Sequence, residues 1–312
     1  MDSLPDLISQ LGPEIEDPEE ETFLLYSQPM ASQNLGFIDP KARSIDVAIN
    51  QRDFTIHQSP GILSSSRAGG TTGAVLWKIN PLFAEWLSSP SNPLFLSRAL
   101  SRSSSLIELG CGISPLNALA LRPRIARYVL TDQPYVLKLL QQNIDANPPP
   151  FSSSSSSSSS SYPSSSSSSS SRRAKHAASP SPAHCADISF RVLDWETDQV
   201  SAALTGCPAT TSFDALVACD CVFNYALIQP LVQTCADVCR LRTRHKAAGA
   251  GAPPCVAVIA QQLRNDDVFT CWLAEFRRHF RVWRFPEEML PEGLRPAAGF
   301  VIHVGLLRDA GE

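Results

Sequence analysis

Short apolar runs alternate with amphipathic stretches along most of the chain from residue 106 onward. The runs predict buried strands, and the stretches between them carry apolar residues at helical spacing. The predicted strands are Leu106–Leu109, Tyr128–Thr131, Phe190–Leu193, Phe213–Cys219 and Cys255–Ala260. The predicted helices are Pro134–Ala146, Leu227–Arg242 and Asp267–His279. This alternation is typical of βαβ units and predicts a mainly parallel sheet.

The segments on either side of these units follow other patterns. Phe280–Phe285 and Phe300–Leu307 are apolar runs with no helix between them, which predicts an antiparallel pair at the sheet edge. Upstream, Asp46–His57 alternates around a turn near Asn50-Gln51 and predicts a hairpin, and Val75–Leu87 has helical spacing. The predicted fold class is therefore α/β: a Rossmann-like, doubly wound seven-strand sheet with an antiparallel C-terminal strand pair and an N-terminal hairpin extension.

Two segments lack a pattern that would bury apolar surface. Residues 1–44 are acidic and turn-rich, so we expect a disordered arm before one domain at 45–312. A serine-rich insertion at about 148–186 interrupts that domain, and we expect it to be disordered as well. The insertion follows a predicted helix and precedes a strand, which places it at the amino edge of the sheet. Ligands of such folds bind outside the opposite, carboxyl edge.

Composition and charge limit the kinds of partner. The 312 residues are 43% hydrophobic, enough for a sizeable core, and the net charge of −4 disfavours direct binding to nucleic acid. No apolar run approaches the roughly 20 residues of a membrane helix, and the N-terminus resembles neither a signal peptide nor a transit peptide. We expect a cytoplasmic monomer with reduced cysteines and no membrane contact, with a nuclear pool as the alternative.

The strongest motif is the apolar strand that runs through Glu108 into Gly110-Cys111-Gly112. The glycines allow a sharp turn and a close approach of the backbone to a ligand. Glu108 is placed to face the ammonium and sulfonium end of S-adenosylmethionine. Asp132, after the next strand, suits the ribose hydroxyls; the alternative is a helix N-cap before Pro134, and the two roles can coexist. A dinucleotide fits less well, because Pro115 stands where that fingerprint has a small residue.

Two more strand ends supply candidate site residues. After the third strand, Asp194 suits the amino group of adenine and Trp195 can stack on its ring, the alternative being a capping aspartate beside a core tryptophan. After the fourth strand and Cys219, Asp220 could orient a lysine amine while Phe223 and Tyr225 hold its stem. The alternative there is a helix-capping aspartate beside core aromatic residues.

The clustered cysteines do not have the spacing of a metal site. Cys219, Cys221, Cys235 and Cys239 form no CxxC pair, and the six histidines show no ligand spacing. We therefore predict that the chain binds no metal. Cys235 and Cys239 lie one helical turn apart, and we expect both to be buried as free thiols.

Taken in order, these motifs resemble the family 16 seven-strand protein methyltransferases. The matching motifs are Thr72-Gly73-Ala74-Val75-Leu76-Trp77, Glu108-Leu109-Gly110-Cys111-Gly112, Thr131-Asp132, Leu193-Asp194-Trp195 and Asp220-Cys221-Val222-Phe223. Three segments are most similar to the fungal ribosomal lysine methyltransferase 5 group: Thr131-Asp132-Gln133, Cys221-Val222-Phe223-Asn224 and Ala260-Gln261-Gln262-Leu263-Arg264.

The resemblance implies a role for each matching position. Trp77 would lie against the cofactor, Glu108 through Gly112 would hold its amino-acid end, and Asp194 with Trp195 would flank the adenine. Cys219 would end the strand beside the cofactor. Asp220 would begin the acceptor motif, in which Phe223 stands where many members carry tyrosine, so Tyr225 becomes the candidate for a hydroxyl contact.

The resulting expectation is an S-adenosylmethionine-dependent protein-lysine N-methyltransferase that acts on a ribosomal large-subunit protein. Two alternatives remain open. One is a methyltransferase with a small-molecule or non-lysine acceptor, and the other is a methyltransferase-like binding protein without catalytic activity.

Overall fold

The computed structural model describes residues 3–30, 36–66, 70–149, 187–246 and 253–308. The strands are β1 Ser44–Ile49, β2 Arg52–His57, β3 Ser105–Leu109, β4 Arg127–Asp132, β5 Asp187–Val192, β6 Ala215–Cys219, β7 Val256–Gln262, β8 Phe280–Arg284 and β9 Phe300–Leu307. The helices are α1 Leu4–Leu11, α2 Pro18–Tyr26, α3 Pro60–Leu63, α4 Ile79–Ser88, α5 Pro93–Leu96, α6 Leu116–Leu121, α7 Leu137–Ala146, α8 Tyr225–Lys246 and α9 Asp266–His279.

Seven strands form one sheet in the order β5-β4-β3-β6-β7-β9-β8. The five strands from β5 to β7 run parallel, and β9 pairs antiparallel with both β7 and β8. This confirms the predicted seven-strand α/β sheet and its antiparallel C-terminal pair. The chain moves outward from β3 in one direction through β4 and β5, and in the other through β6 and β7, so the order reverses between β3 and β6.

Helices cover both faces of the sheet. On one face α8 and α9 pack together, and α2 lies against α9. On the other face α4 packs on β6 and β7 and against α6. The central strands are buried throughout, which explains their continuous apolar sequence.

The predicted hairpin is also confirmed. β1 and β2 pair antiparallel from Ser44–His57 to Ile49–Arg52. Asn50 and Gln51 both have positive φ, 48° and 64°, as a two-residue turn that follows the twist of the strands requires. The hairpin packs against α7 and α4 and lies beside the main sheet as a separate pair of strands.

The prediction of a disordered arm is wrong for residues 3–30, which form α1 and α2. Ser3 caps α1 through the Asp6 amide, and Asp17 caps α2 through the Glu19 and Glu20 amides. Leu7 on α1 and Leu25 on α2 are fully buried. In α1 the apolar residues Leu4, Leu7, Ile8 and Leu11 have helical spacing, a signal that the sequence reasoning missed, whereas α2 has no such spacing.

Some acidic side chains of this region form ion pairs, which the composition alone did not reveal. Glu14 contacts Arg281 at 2.7 Å and Arg308 at 2.9 Å. Glu21 is buried against His303 at 3.1 Å, with Arg284 at 3.2 Å. The N-terminal helices are therefore held against the β8–β9 end of the sheet by both apolar and charged contacts.

The serine-rich insertion falls almost entirely in residues 150–186, outside the described residues, and its predicted disorder stays a prediction. Within the described ranges, no helix combines the length and the apolar character needed to cross a bilayer.

Candidate cofactor and acceptor site

A cavity of about 620 Å³ opens at the carboxyl edge of the sheet, where the strand order reverses between β3 and β6. Open α/β sheets bind their ligands at this position. Nine of the eleven residues predicted for the site line the cavity: Trp77, Gly110, Gly112, Asp132, Asp194, Trp195, Cys219, Asp220 and Phe223. Glu108 and Tyr225 do not line it.

The glycine turn after β3 forms the floor of the cavity. Gly110 and Gly112 have φ of 67° and 57°, in the left-handed region that favours glycine. A Cβ on Gly110 would lie 2.7 Å from the Cys221 Sγ atom, and a Cβ on Gly112 would lie 2.9 Å from the Gly73 carbonyl oxygen. Both backbone conformation and close packing therefore require glycine at these two positions.

Asp132, at the end of β4, lines the cavity and also binds the glycine turn. Its carboxylate accepts hydrogen bonds from the Gly112 amide at 2.8 Å and from the Gln133 amide at 2.7 Å. Burial raises the pKa of Asp132 to about 6, against the lowering effect of those two bonds. Each oxygen keeps a lone pair, so Asp132 can stabilise the turn and still accept a ligand hydroxyl.

Asp194 and Trp195 form another wall after β5. The Asp194 carboxylate accepts from the Glu196 amide at 3.0 Å, as expected of a capping aspartate, while the residue still faces the cavity. The Trp195 ring comes so close to Gly110 that a Cβ there would lie 3.1 Å from it. Among the described residues, neither the Trp195 Nε1 nor the Ser114 Oγ, both buried on cavity-lining residues, has a hydrogen-bond partner.

Glu108 does not line the cavity, and its contact with the positive end of the ligand stays a prediction. Its side chain is buried beneath the glycine turn, where the Asn117 amide and the Tyr128 hydroxyl each donate to it at 2.8 Å. Side chains alternate across a strand, and Glu108 points to the same face as Leu106, toward α4 and α6. Burial raises the pKa of Glu108 to about 7, outweighing the two hydrogen bonds.

The acceptor side centres on Asp220, directly after β6. Asp220 has φ of 63° and a side chain that is only 3% exposed. Both of its oxygens accept from Arg264, at 2.7 Å from Nη1 and 2.6 Å from Nη2. Arg264 also lines the cavity, with its guanidinium carbon 5.0 Å from the centre of the Trp77 ring. The predicted acceptor carboxylate is therefore one half of a bidentate ion pair.

The two predicted aromatic residues are separated by the structure. Phe223 is 44% exposed and lines the cavity, whereas Tyr225 is 54% exposed, begins α8 and lies outside the lining. Tyr135 supplies a hydroxyl inside the cavity. It lines the cavity and accepts a hydrogen bond from the Gly73 amide at 3.2 Å.

Sequence reasoning missed Arg264 and Tyr135 as site residues. A general rule would have pointed to Arg264, because it follows the carboxyl end of β7, a strand of the same parallel set.

Within the described ranges, no group of three or more His, Cys, Asp or Glu side chains could hold a metal ion. Cys235 and Cys239 are buried in the core as free thiols, as predicted.

Similar proteins come from fungi, and no protein-family model matches the chain. The ribosomal lysine N-methyltransferase 5 of Eremothecium gossypii is 31% identical over 246 residues, which are 70% of this chain and 71% of that protein. The protein of the same name from Zygosaccharomyces rouxii is 38% identical over 117 residues, 34% of this chain and 37% of that protein.

A third relative has a different name. The diaminohydroxyphosphoribosylamino-pyrimidine deaminase of Schizosaccharomyces pombe is 26% identical over 272 residues, 86% of this chain and 53% of that protein. The chain thus spans only about half of that relative, and about a third of the Zygosaccharomyces rouxii protein. The H-x-E and P-C-x-x-C signature of zinc-dependent deaminases does not occur in this sequence.

Sheet order, glycine turn and strand-end carboxylates together define the class of Rossmann-like, seven-strand α/β proteins with a ligand cavity at the carboxyl edge of the sheet. Within that class, the chain belongs to the ribosomal lysine N-methyltransferase 5 family.

Proposed function

We propose that this chain transfers a methyl group from S-adenosylmethionine to a lysine side chain of a ribosomal protein, and more narrowly of a large-subunit protein. One observation carries the proposal: a single cavity is lined by the glycine turn and Asp132 on one side and by Asp220 and Phe223 on the other. A methyl donor and an amine acceptor bound there would be in reach of each other. The names of the fungal relatives support this choice of acceptor.

The residues present fit S-adenosylmethionine. The turn at Gly110 and Gly112 leaves space that a Cβ would fill, and Asp132 can accept from ribose hydroxyls. Trp195 offers an aromatic face with an unpaired indole N–H within the described structure. The volume of about 620 Å³ lies within the range of sites for ligands of this size.

When bound, S-adenosylmethionine supplies a methyl carbon on a sulfonium, which a neutral amine attacks in line as the electrons of the carbon–sulfur bond pass to sulfur. The chain's task is to hold the amine on that line and to exclude water. Phe223, at the cavity mouth, can pack against the lysine stem. The Asp220 oxygens lie deeper, where they can accept a hydrogen bond from the amine.

We also expect the chain to act as a cytoplasmic monomer.

Methyl labelling of hypomethylated ribosomal proteins tests this proposal. The purified full chain is incubated with methyl-labelled S-adenosylmethionine and ribosomes from a Saccharomyces cerevisiae strain lacking its own ribosomal lysine N-methyltransferase 5. We expect label on a lysine of one large-subunit protein by mass spectrometry, and labelling about 100-fold slower with Asp220→Asn.

Two results would contradict the proposal. Label on a small molecule or on a residue other than lysine would assign another acceptor. Absence of label from a protein that binds S-adenosylmethionine, measured by calorimetry, would indicate a binding protein without catalytic activity.

A further inference from the structure

The acceptor carboxylate carries a fixed countercharge. Arg264 binds both oxygens of Asp220, and the Gln262 amide donates to the same carboxylate at 3.3 Å. Because the Asp220 side chain is 3% exposed and that of Arg264 is 22% exposed, solvent screens this pair little. An amine that enters the cavity therefore meets an ion pair whose net charge is zero.

Arg264 is held in place by contacts from several parts of the chain. Its Nη2 atom also donates to the Gln262 Oε1 at 2.9 Å, and its guanidinium lies over the Trp77 ring. Gly36 packs so tightly here that a Cβ would lie 2.1 Å from the Gln262 Oε1 and 2.6 Å from the Arg264 Nη2. Arg264 is thus confined by the end of β7, by the segment at Trp77 and by the N-terminal segment at Gly36.

Other titratable groups also surround the acceptor. Asp132, Tyr135, Asp194 and Glu196 line the cavity, and Tyr26 lies near both Arg264 and Asp266. Three buried thiols of the lining, those of Cys111, Cys219 and Cys221, have their pKa raised well above the ordinary value by burial. These groups are the same in every variant discussed below, so differences between variants report on Asp220 and Arg264.

We propose that Arg264 is a positioning residue that keeps Asp220 in a charge-neutral pair, so that the acceptor lysine reaches the methyl donor as a neutral amine. This inference rests on the proposed function. A protonated lysine has no lone pair and cannot attack, and a carboxylate without a countercharge would stabilise the protonated form. With Arg264 in place, Asp220 accepts a hydrogen bond from the amine without favouring its ammonium, and the proton leaves to solvent before the nitrogen–carbon bond forms.

The pH dependence of kcat at saturating ribosomal substrate tests the proposal, because kcat reports ionisation in the bound complex. In Arg264→Gln, we expect the rise of kcat with pH to move upward by about one pH unit, because Asp220 then stabilises the ammonium of the bound lysine. Arg264→Lys keeps the charge, so its profile should stay at the wild-type pH with a lower rate. Asp220→Asn combined with Arg264→Gln removes both charges, and its profile should return to the wild-type pH.

A measurement without turnover separates this inference from the proposed function. Binding of n-butylammonium, which mimics the charged end of lysine, is measured by calorimetry at pH 7 in the presence of S-adenosylhomocysteine. We expect Arg264→Gln to bind it about tenfold more tightly than wild type. Arg278→Gln is the control for loss of an arginine. The Arg278 side chain, which pairs with Glu275, is 75% exposed, so this variant should match wild type.

The outcomes are distinct. If wild type labels no ribosomal protein, the proposed function fails, and the butylammonium measurement still decides the role of Arg264. If Arg264→Gln lowers kcat by the same factor at every pH and binds butylammonium no better than wild type, Arg264 only supports the structure and the inference is wrong. Thermal melts show that each variant is folded before it is compared.

Discussion

The two sides of the cavity are built in different ways. The cofactor side is built mainly on backbone groups and strand-end residues: the Gly112 amide donates to the Asp132 carboxylate, which ends the next strand 20 positions later. The acceptor side depends on charged side chains from distant segments, since Asp220 and Arg264 are 44 positions apart and Gly36 packs against Arg264 from the N-terminal region. The two sides should therefore respond to substitution separately, one in cofactor affinity and the other in turnover.

Asp220→Ala should have the largest effect and should confine it to the acceptor side. We expect kcat to fall by about 100-fold, because the amine loses the group that orients it. Affinity for S-adenosylmethionine, measured by tryptophan fluorescence, should stay within about threefold. Removing one partner of a mostly buried pair should also lower the free energy of unfolding by about 2 kcal/mol.

Asp237→Ala is the matched control for this substitution. Asp237 also pairs with an arginine, Arg240 at 2.8 Å, but on α8 at a side chain that is 37% exposed. Its removal should leave kcat unchanged. Comparable activity of Asp220→Ala and Asp237→Ala would show that Asp220 plays no part in the reaction, and the distinction between the two sides would fail.

Gly112→Ala should have the next largest effect, with the opposite signature. A left-handed conformation costs an alanine about 1–2 kcal/mol, and the new Cβ would also press on the Gly73 carbonyl oxygen. We expect the Kd for S-adenosylmethionine to rise by about 10- to 30-fold, with kcat at saturating cofactor within a few-fold of wild type. A fall in kcat with unchanged Kd would mean that the glycine turn serves the acceptor instead.

These differences explain which parts of the protein could be predicted from sequence. The parallel strands are short, continuous apolar runs, and a residue that follows each run must lie at the carboxyl edge, so Asp132 and Asp220 could be located without a structure. Nothing in the local sequence shows which arginine will pair with Asp220. That choice depends on how β7 and the segment at Gly36 pack, which is a property of the whole fold.

The same distinction applies to Glu108 and to the N-terminal helices. The position of Glu108 in the motif predicted a side chain beside the ligand. Because side chains alternate along a strand, the Glu108 carboxylate instead contacts Asn117 and Tyr128 beneath the glycine turn. Composition suggested a solvated acidic arm, whereas Glu14 and Glu21 have partners on the β8–β9 end of the sheet. In both cases long-range packing, which the local sequence does not show, decided where the side chain lies.

Gly36→Ala tests whether the N-terminal segment belongs to the acceptor side. The new Cβ must displace the side chains of Gln262 and Arg264, which lie 2.1 and 2.6 Å from its position. Because φ at Gly36 is 91°, the substitution also strains the backbone. We expect kcat/KM for the protein substrate to fall by about tenfold, with S-adenosylmethionine affinity unchanged.

Gly12→Ala separates backbone strain from displacement of Arg264. Gly12 has φ of 90°, almost the same as Gly36, but no atom lies within 4 Å of its Cβ position. Gly12→Ala should therefore lower the melting temperature without changing kcat/KM. Equal kinetic effects of the two substitutions would indicate that Gly36 acts through stability alone.

Glu108→Gln should have the smallest effect on the reaction, and it tests the boundary of the cofactor side. Since Glu108 contacts Asn117 and Tyr128 and does not line the cavity, S-adenosylmethionine affinity and kcat should both stay within about threefold of wild type. Equilibrium binding by tryptophan fluorescence measures the first of these. A loss of affinity of tenfold or more would place Glu108 in the cofactor side after all.

The same substitution should change how stability depends on pH. Burial raises the pKa of Glu108 from 4.5 to about 7, so between these values the folded protein holds a proton that the unfolded chain has released. Its contribution to stability is therefore fully present below pH 4.5 and is lost as the pH rises through 7. Relative to Glu108→Gln, wild type should lose ~2 kcal/mol between pH 5 and pH 7 in urea unfolding. Asp132, whose pKa burial raises to about 6, titrates in both proteins, so the difference reports on Glu108 together with its repulsion by Asp132. A constant difference across that range would mean that the hydrogen bonds from Asn117 and Tyr128 keep Glu108 ionised despite its burial.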